Sequence, residues 1–349
     1  MGRNTSGAHL VKVHAFAAGP SSKKVFCRLA VVWILLIPLT DAPRVAEASL
    51  VDQETTDIAG LSSNPPDDHI YTWIGNTPEW NRKMHVAGYR MGCDAGDARG
   101  CVREATEAVQ QNGFRRVFLS MFVDEQRAPG DAREYSLLSI SHPFIAEIGF
   151  DDFVDRYEKL FSRPGLDPAS WLRGVIRSIK RHNVRLGFGI TLYEDELDSP
   201  LLRSPNLPPD LARSVDYVHL FLHYRSDAPH FPEYIQRSRT LFPNAKIIAG
   251  LYAYDRVDYI RCSPSNARAC TPREEIQLYE QAVTIVARML KESRIEGIEF
   301  YPGFFGKENE WGGWKRRAYC SRRRVQECIA DTRVMRQSTV EALAAAMDW

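Results

Sequence analysis

The sequence predicts an α/β fold, a (β/α)8 TIM-type barrel with room for one irregular or missing unit. Three observations predict it. Short apolar strands alternate with amphipathic helices along most of the chain, which demands parallel strands joined by right-handed crossovers. The chain has 349 residues, and about 300 remain behind an N-terminal leader, enough for one such barrel. Six of the seven cysteines form three pairs of identical spacing, Cys93/Cys101, Cys262/Cys270 and Cys320/Cys328. Each pair follows a predicted strand, so all three pin loops on one face of the fold. A doubly wound open sheet is the alternative, but no strand leads into a G-x-G-x-x-G or G-x-x-x-x-G-K-[ST] phosphate loop.

The elements follow in order. Lys23, Lys24 and Arg28 precede the apolar run 29–37, and Ala46-Glu47-Ala48 supplies the small residues of a cleavage site. Residues 1–48 therefore read as a secretory signal peptide. The apolar run falls short of the roughly 20 residues that span a bilayer. Residues 49–68 are polar and broken by prolines, a flexible lead-in to a single barrel domain over 69–349. Strands are expected at Ile70–Ile74, Met84–Arg90, Arg116–Asp124, Arg185–Tyr193, Asp216–Tyr224, Lys246–Tyr254 and Ile295–Tyr301. Helices are expected at Val102–Asn112, Asp151–Ser162, Pro168–His182, Phe231–Leu241, Pro272–Glu292 and Arg333–Met347. Asp167-Pro168 and Thr271-Pro272 each put a capping side chain ahead of a proline at the first helical position.

Cysteine usage and charge bound the setting. With Cys27 removed in the leader, the even remainder reads as three local disulfides formed in an oxidising, secreted or periplasmic compartment. Each closes a short loop and stabilises by about 2.5 kcal/mol on the chain-entropy model. A separation of eight residues on a continuous helix spans about 12 Å, so the chain must bend between Cys320 and Cys328. Without residues 1–48 the chain carries 39 basic and 42 acidic side chains. That balance draws it neither to nucleic acid nor to an anionic membrane.

Strand parity sorts the barrel interior from its outer face, because successive side chains point to opposite sides. In 185–195 Leu186, Phe188, Ile190 and Leu192 face the helices, while Gly187, Gly189, Thr191, Tyr193 and Asp195 face the lumen. His219 and His223 face inward from 217–224, Tyr252 and Tyr254 from 247–254, and Glu299 and Tyr301 from 295–301. In 117–124 the inward set ends at Asp124, and Asp255 lies just past the sixth of these strands. Polar inward residues at strand C-termini are where a barrel enzyme keeps its chemistry.

Two carboxylates flanking one bond are the equipment of glycoside hydrolysis. Glu299 is expected to supply one, and Glu194 or Asp195 the other. Alternation favours Asp195, although a turn of the chain can bring Glu194 inward instead. Asp124, Tyr193, His223, Tyr252, Tyr254, Asp255, Tyr301, Trp311 and Trp314 are expected to contact a sugar, whose apolar C–H faces suit flat rings. No cofactor or metal is expected: H-E-x-x-H and C-x-x-C are missing, and His219 and His223 sit too far apart on an extended strand to share one ion. A non-catalytic carbohydrate-binding barrel, or a metal-assisted phosphodiesterase or lyase barrel using His223, Asp124 and Asp255, are the other readings.

The strand-end segments Gly189-Ile190-Thr191-Leu192-Tyr193-Glu194-Asp195 and Gly297-Ile298-Glu299-Phe300-Tyr301 carry a resemblance. Over 70–347 the chain resembles the secreted (β/α)8 glycoside-hydrolase-like superfamily at the level of fold. That resemblance implies a hydrolase acting on a poly- or oligosaccharide. The Asn-Glu pair that many of those enzymes place at a strand end is replaced here by Tyr193-Glu194.

Overall fold

Eight parallel strands close on themselves in strict chain order, so no strand of the expected barrel is missing. The computed structural model describes residues 69–73, 78–121, 124, 126–252, 271–301 and 325–347. All of them belong to the compact unit Ala59–Trp349. The strands are β1 (Ile70–Trp73), β2 (Val86–Cys93), β3 (Arg116–Met121), β4 (Ile145–Phe150), β5 (Gly187–Tyr193), β6 (Tyr217–Phe221), β7 (Lys246–Tyr252) and β8 (Gly297–Tyr301). The ring is closed by β1 against β8, with Ile70 opposite Ile298 and Tyr71 opposite Glu299.

The helices are α1 (Pro78–Lys83), α2 (Ala98–Asn112), α3 (Ala128–Ser141), α4 (Phe153–Phe161), α5 (Pro168–Lys180), α6 (Pro209–Arg213), α7 (Phe231–Leu241), α8 (Pro272–Lys291) and α9 (Val325–Met347). Both proline-opened starts are capped as the sequence reading expects. Asp167 accepts from the Ala169 amide at 3.2 Å. Thr271 and Glu274 form a reciprocal capping box, Thr271 N donating to Glu274 Oε2 at 2.8 Å and Glu274 N to Thr271 Oγ1 at 3.3 Å. Among the described residues no helix is long and apolar enough to cross a membrane.

Helices α1, α3 and α6 and strand β4 escaped the pattern reading, α3 and β4 for identifiable reasons. Helix α3 buries small and polar residues, Ala128, Ala132, Ser136 and Ser139, while Leu137 and Ile140 stand 54% and 58% exposed. Its hydrophobic periodicity therefore points the wrong way. Strand β4 carries a register shift: Val117 pairs with Ile145, but the next residue, Phe118, pairs with Glu147. The irregularity breaks the period of two on which strand recognition depends.

Core and lumen separate by parity. Phe188, Ile190 and Leu192, Val218 and Leu220, and Ile298 and Phe300 join the helices in the main core. Inside the barrel, Tyr71, Phe118 and Ile248 form a separate plug with Ala146 and Tyr217 packed against it. Tyr71 fits because both neighbouring strands carry glycine beside it; a Cβ at Gly88 or Gly297 would lie 2.5 Å from its ring. Large rings on one strand are matched by absent side chains on the next.

Cys93 and Cys101 form a disulfide with Cα atoms 5.5 Å apart, joining the end of β2 to α2. Cys262, Cys270 and Cys320 lie outside the described residues, so the other two expected bridges do as well. Helix α9 starts at Val325, between Cys320 and Cys328.

Candidate active site

Above the plug, strands β2, β4, β5, β6 and β8 each turn a polar side chain into the barrel axis, and these meet. Arg90 Nη2 lies 3.0 Å from Glu147 Oε1, and Arg90 Nη1 donates to Thr191 Oγ1 at 2.6 Å. Arg90 Nε stands 3.4 Å from Glu299 Oε1, a charge contact rather than a hydrogen bond. His219 spans the two carboxylates, with Nε2 2.9 Å from Glu147 Oε2 and Nδ1 against Glu299 Oε2. Arg90, Glu147, His219 and Glu299 are each no more than 1% exposed. A protonated His219 makes this quartet neutral, which is the condition for burying four ionisable groups.

The proton affinities agree with that arrangement. Burial and Arg90 push the His219 imidazole down, but Glu147 and Glu299 on its two nitrogens outweigh them and raise it. Burial would raise the Glu299 carboxyl, yet Arg90 and His219 hold it below its ordinary value. A raised histidine stabilises the fold below its ordinary value of 6.5 and loses that contribution as pH rises through its folded value. Stability in urea is therefore expected to fall as pH rises above that point. The slope should flatten in His219→Gln, and an unchanged slope there would remove His219 as its source.

The quartet is a floor, and an open cleft of about 570 Å³ lies above it. Its walls come from strand ends: Trp73 on β1, Phe221 on β6, Tyr252 on β7 and Tyr301 on β8, with Tyr193 and Thr191 from β5. The rings brace one another. Tyr301 meets Trp73 and Tyr252 edge-on at centroid distances of 5.3 and 5.6 Å, and Tyr193 stacks on His223 at 3.8 Å. Among the described residues, acids enter from two segments. Asp151, Asp152 and Asp155 come from the β4–α4 segment, and Asp195 and Glu196 from the turn after β5.

These carboxyls are not equivalent. Burial and the neighbouring Asp152 raise Asp151 to about 6, against the pull of Arg90 and Arg156. Burial raises Glu196 to about 8, although the Tyr193 amide donates to it at 3.0 Å. Asp195 moves the other way, lowered chiefly by its hydrogen bond with His223 Nδ1 at 3.2 Å. Two of the cleft acids are thus raised toward neutrality beside one that is held ionised.

The expected site residues divide accordingly. Asp195, Tyr193, His223, Tyr252 and Tyr301 line the cleft together. Glu194 does not: it is 4% exposed and accepts the His223 amide at 2.8 Å and the Tyr224 amide at 2.9 Å. That bond ties the end of β5 to the end of β6, and burial raises the carboxyl to about 7. Glu299 faces the lumen as parity requires, but it is fully buried in the quartet below the cleft floor. Asp124 accepts the amides of Gln126 and Arg127 at 3.0 and 2.9 Å, a cap on the turn into α3 rather than part of the cleft. Tyr254, Asp255, Trp311 and Trp314 lie outside the described residues.

Glu194, Asp195 and His223 present ligand-type atoms within 4.8 Å of one another. Glu194 already spends both oxygens on backbone amides, which leaves it a poor donor for an ion. Asp151 and Asp152 were legible only as the opening of a helix, because β4 was not recognised. With β4 in place, the inward set Glu147, Gly149, Asp151 continues directly into the cleft.

No protein-family model and no curated protein matches the chain. Among solved structures it is similar to a glucosidase from Croceicoccus marinus, at 11% identity, over 78% of this chain and 66% of that one, with a TM-score of 0.49. It is also similar to a glycoside hydrolase family 5 enzyme from Prevotella bryantii, at 10% identity over 78% and 87%, TM-score 0.48. A β-glucuronidase from Bacteroides uniformis is similar at 14% identity over 67% of this chain, which spans only 30% of that protein, TM-score 0.46. The closed barrel itself rests on the strand pairing described above.

Proposed function

We propose that this chain is a secreted, glycosidase-like hydrolase acting on a poly- or oligosaccharide, with Asp151 and Asp195 as its working carboxylates. One observation carries the reading. A single ring-walled cleft holds carboxyls whose surroundings push their proton affinities in opposite directions, which is how acid and base roles are divided between like groups.

Asp151, raised to about 6, holds a proton under mildly acidic conditions and can return to its charged form. It is the group suited to protonate the departing glycosidic oxygen. Glu196, raised to about 8 and fixed by the Tyr193 amide, is less suited to cycling. Asp195 stays ionised and is oriented by His223; it attacks the anomeric carbon or draws a proton from water as the C–O bond breaks. Glu299 becomes a support beneath the floor. The leader over 1–48 and the Cys93–Cys101 bridge fit an oxidising compartment.

Release of reducing ends from a panel of neutral, acidic and amino polysaccharides tests this. Hydrolysis of at least one is expected, with kcat/KM falling as pH rises through about 6, where Asp151 loses its proton. Asp195→Asn should abolish it while remaining folded. No release from any member, or undiminished turnover in that variant, would remove the proposal.

A further inference from the structure

The quartet and the cleft meet at Trp73 and at Thr191. Thr191 on β5 is 2% exposed, lines the cleft, and receives Arg90 Nη1 at 2.6 Å. A guanidinium has donors and no acceptors, so the Thr191 hydroxyl must offer Arg90 a lone pair and turn its hydrogen elsewhere. The acceptor at hand is the Asp151 carboxyl: Asp151 follows Phe150 as Thr191 follows Phe150's partner Ile190, and both side chains line the cleft. Arg90 is itself immobilised from three further sides: by Glu147 at 3.0 Å, by Glu299 at 3.4 Å, and by the face of Trp73 at 5.5 Å.

We infer that Arg90 is a positioning residue for Asp151, holding Thr191 from below so that its hydroxyl hydrogen points at the carboxylate in the cleft. The buried ions thus reach the cleft acid through the Thr191 hydroxyl, and a donor polarised by a cation is a stronger donor. The inference rests on the role given to Asp151 above and assigns its supporting machinery.

Several other groups face Asp151, and the test must separate Thr191 from them. Arg90 on β2 and Arg156 on α4 favour its charged form, and Asp152 beside it opposes that form. Tyr193 on β5 and Tyr252 on β7 feel its charge in turn. Replacing Thr191 by valine removes the hydroxyl and keeps the shape and every one of those charges.

The measurement is a 13C NMR titration of carboxyl groups in the whole protein, with Asp151 assigned by its loss in Asp151→Asn. In Thr191→Val the Asp151 titration should move upward by roughly half a unit or more, the equivalent of one lost hydrogen bond. Thr191→Ser, which keeps the hydroxyl, should restore it. The same titration point in wild type and Thr191→Val would overturn the inference. So would a shift that Thr191→Ser fails to reverse in a folded protein. The titration needs no turnover, so a shifted Asp151 in a protein that cleaves nothing on the polysaccharide panel sinks the hydrolase reading and leaves this one standing.

Discussion

Asp151→Asn is expected to lower turnover by about 10²–10⁴-fold, the range lost when a positioned general acid is removed. Asparagine keeps the shape of the side chain and its place beside Thr191, but it has no proton to give to the leaving oxygen. The loss should depend on the leaving group. A sugar hydroxyl departs badly without protonation, whereas a nitrophenolate departs well. Kinetics on an oligosaccharide and on an aryl glycoside of the same sugar therefore form the check, with the greater loss expected on the oligosaccharide. A deficit below tenfold on both substrates would take the acid role away from Asp151. Equal deficits would point to a binding defect instead.

The second large effect is structural. Arg90→Met should destabilise the fold by about 3–5 kcal/mol, because it strands charges that cannot reach water. Arg90 is 1% exposed, and Glu147 and Glu299, at 3.0 and 3.4 Å, are equally sealed. With the guanidinium gone, only His219 remains to balance two buried carboxylates. Urea unfolding of wild type and variant measures the loss. The pair Arg173–Asp210 is just as short, at 2.9 Å, but lies out in solvent, and Arg173→Ala is expected to matter far less. Comparable small effects at both arginines would show that the quartet contributes little to stability.

Fold and site were legible to different depths. Parity in β5, β6 and β8 placed Thr191, Tyr193, His219, His223, Glu299 and Tyr301 on the inward face, where the structure has them. What parity does not carry is height along the barrel axis. Glu299 and Tyr301 are two residues apart on one face, yet one is sealed among ions and the other lines the cleft. The charges that claim Glu299 come from β2 and β6, distant in sequence, so no local pattern announces them. Glu194 was ambiguous for a related reason: the strand ends at Tyr193, and the tight turn after it breaks alternation. Asp151 was obscured by the register shift in β4, which hid the strand whose inward row it completes.

The central claim is that substrate sits above the buried ions, between the ring wall and the acids of the β4 and β5 ends. A crystal structure of Asp151→Asn with an oligosaccharide that the wild-type protein cleaves tests it most directly. The sugar ring should lie against Trp73, Tyr252 and Tyr301, with Asp195 and His223 at its anomeric carbon and the side-chain amide introduced at position 151 by the glycosidic oxygen. A sugar bound in the ordered crystal away from this cleft, with the cleft filled by water alone, would contradict the account.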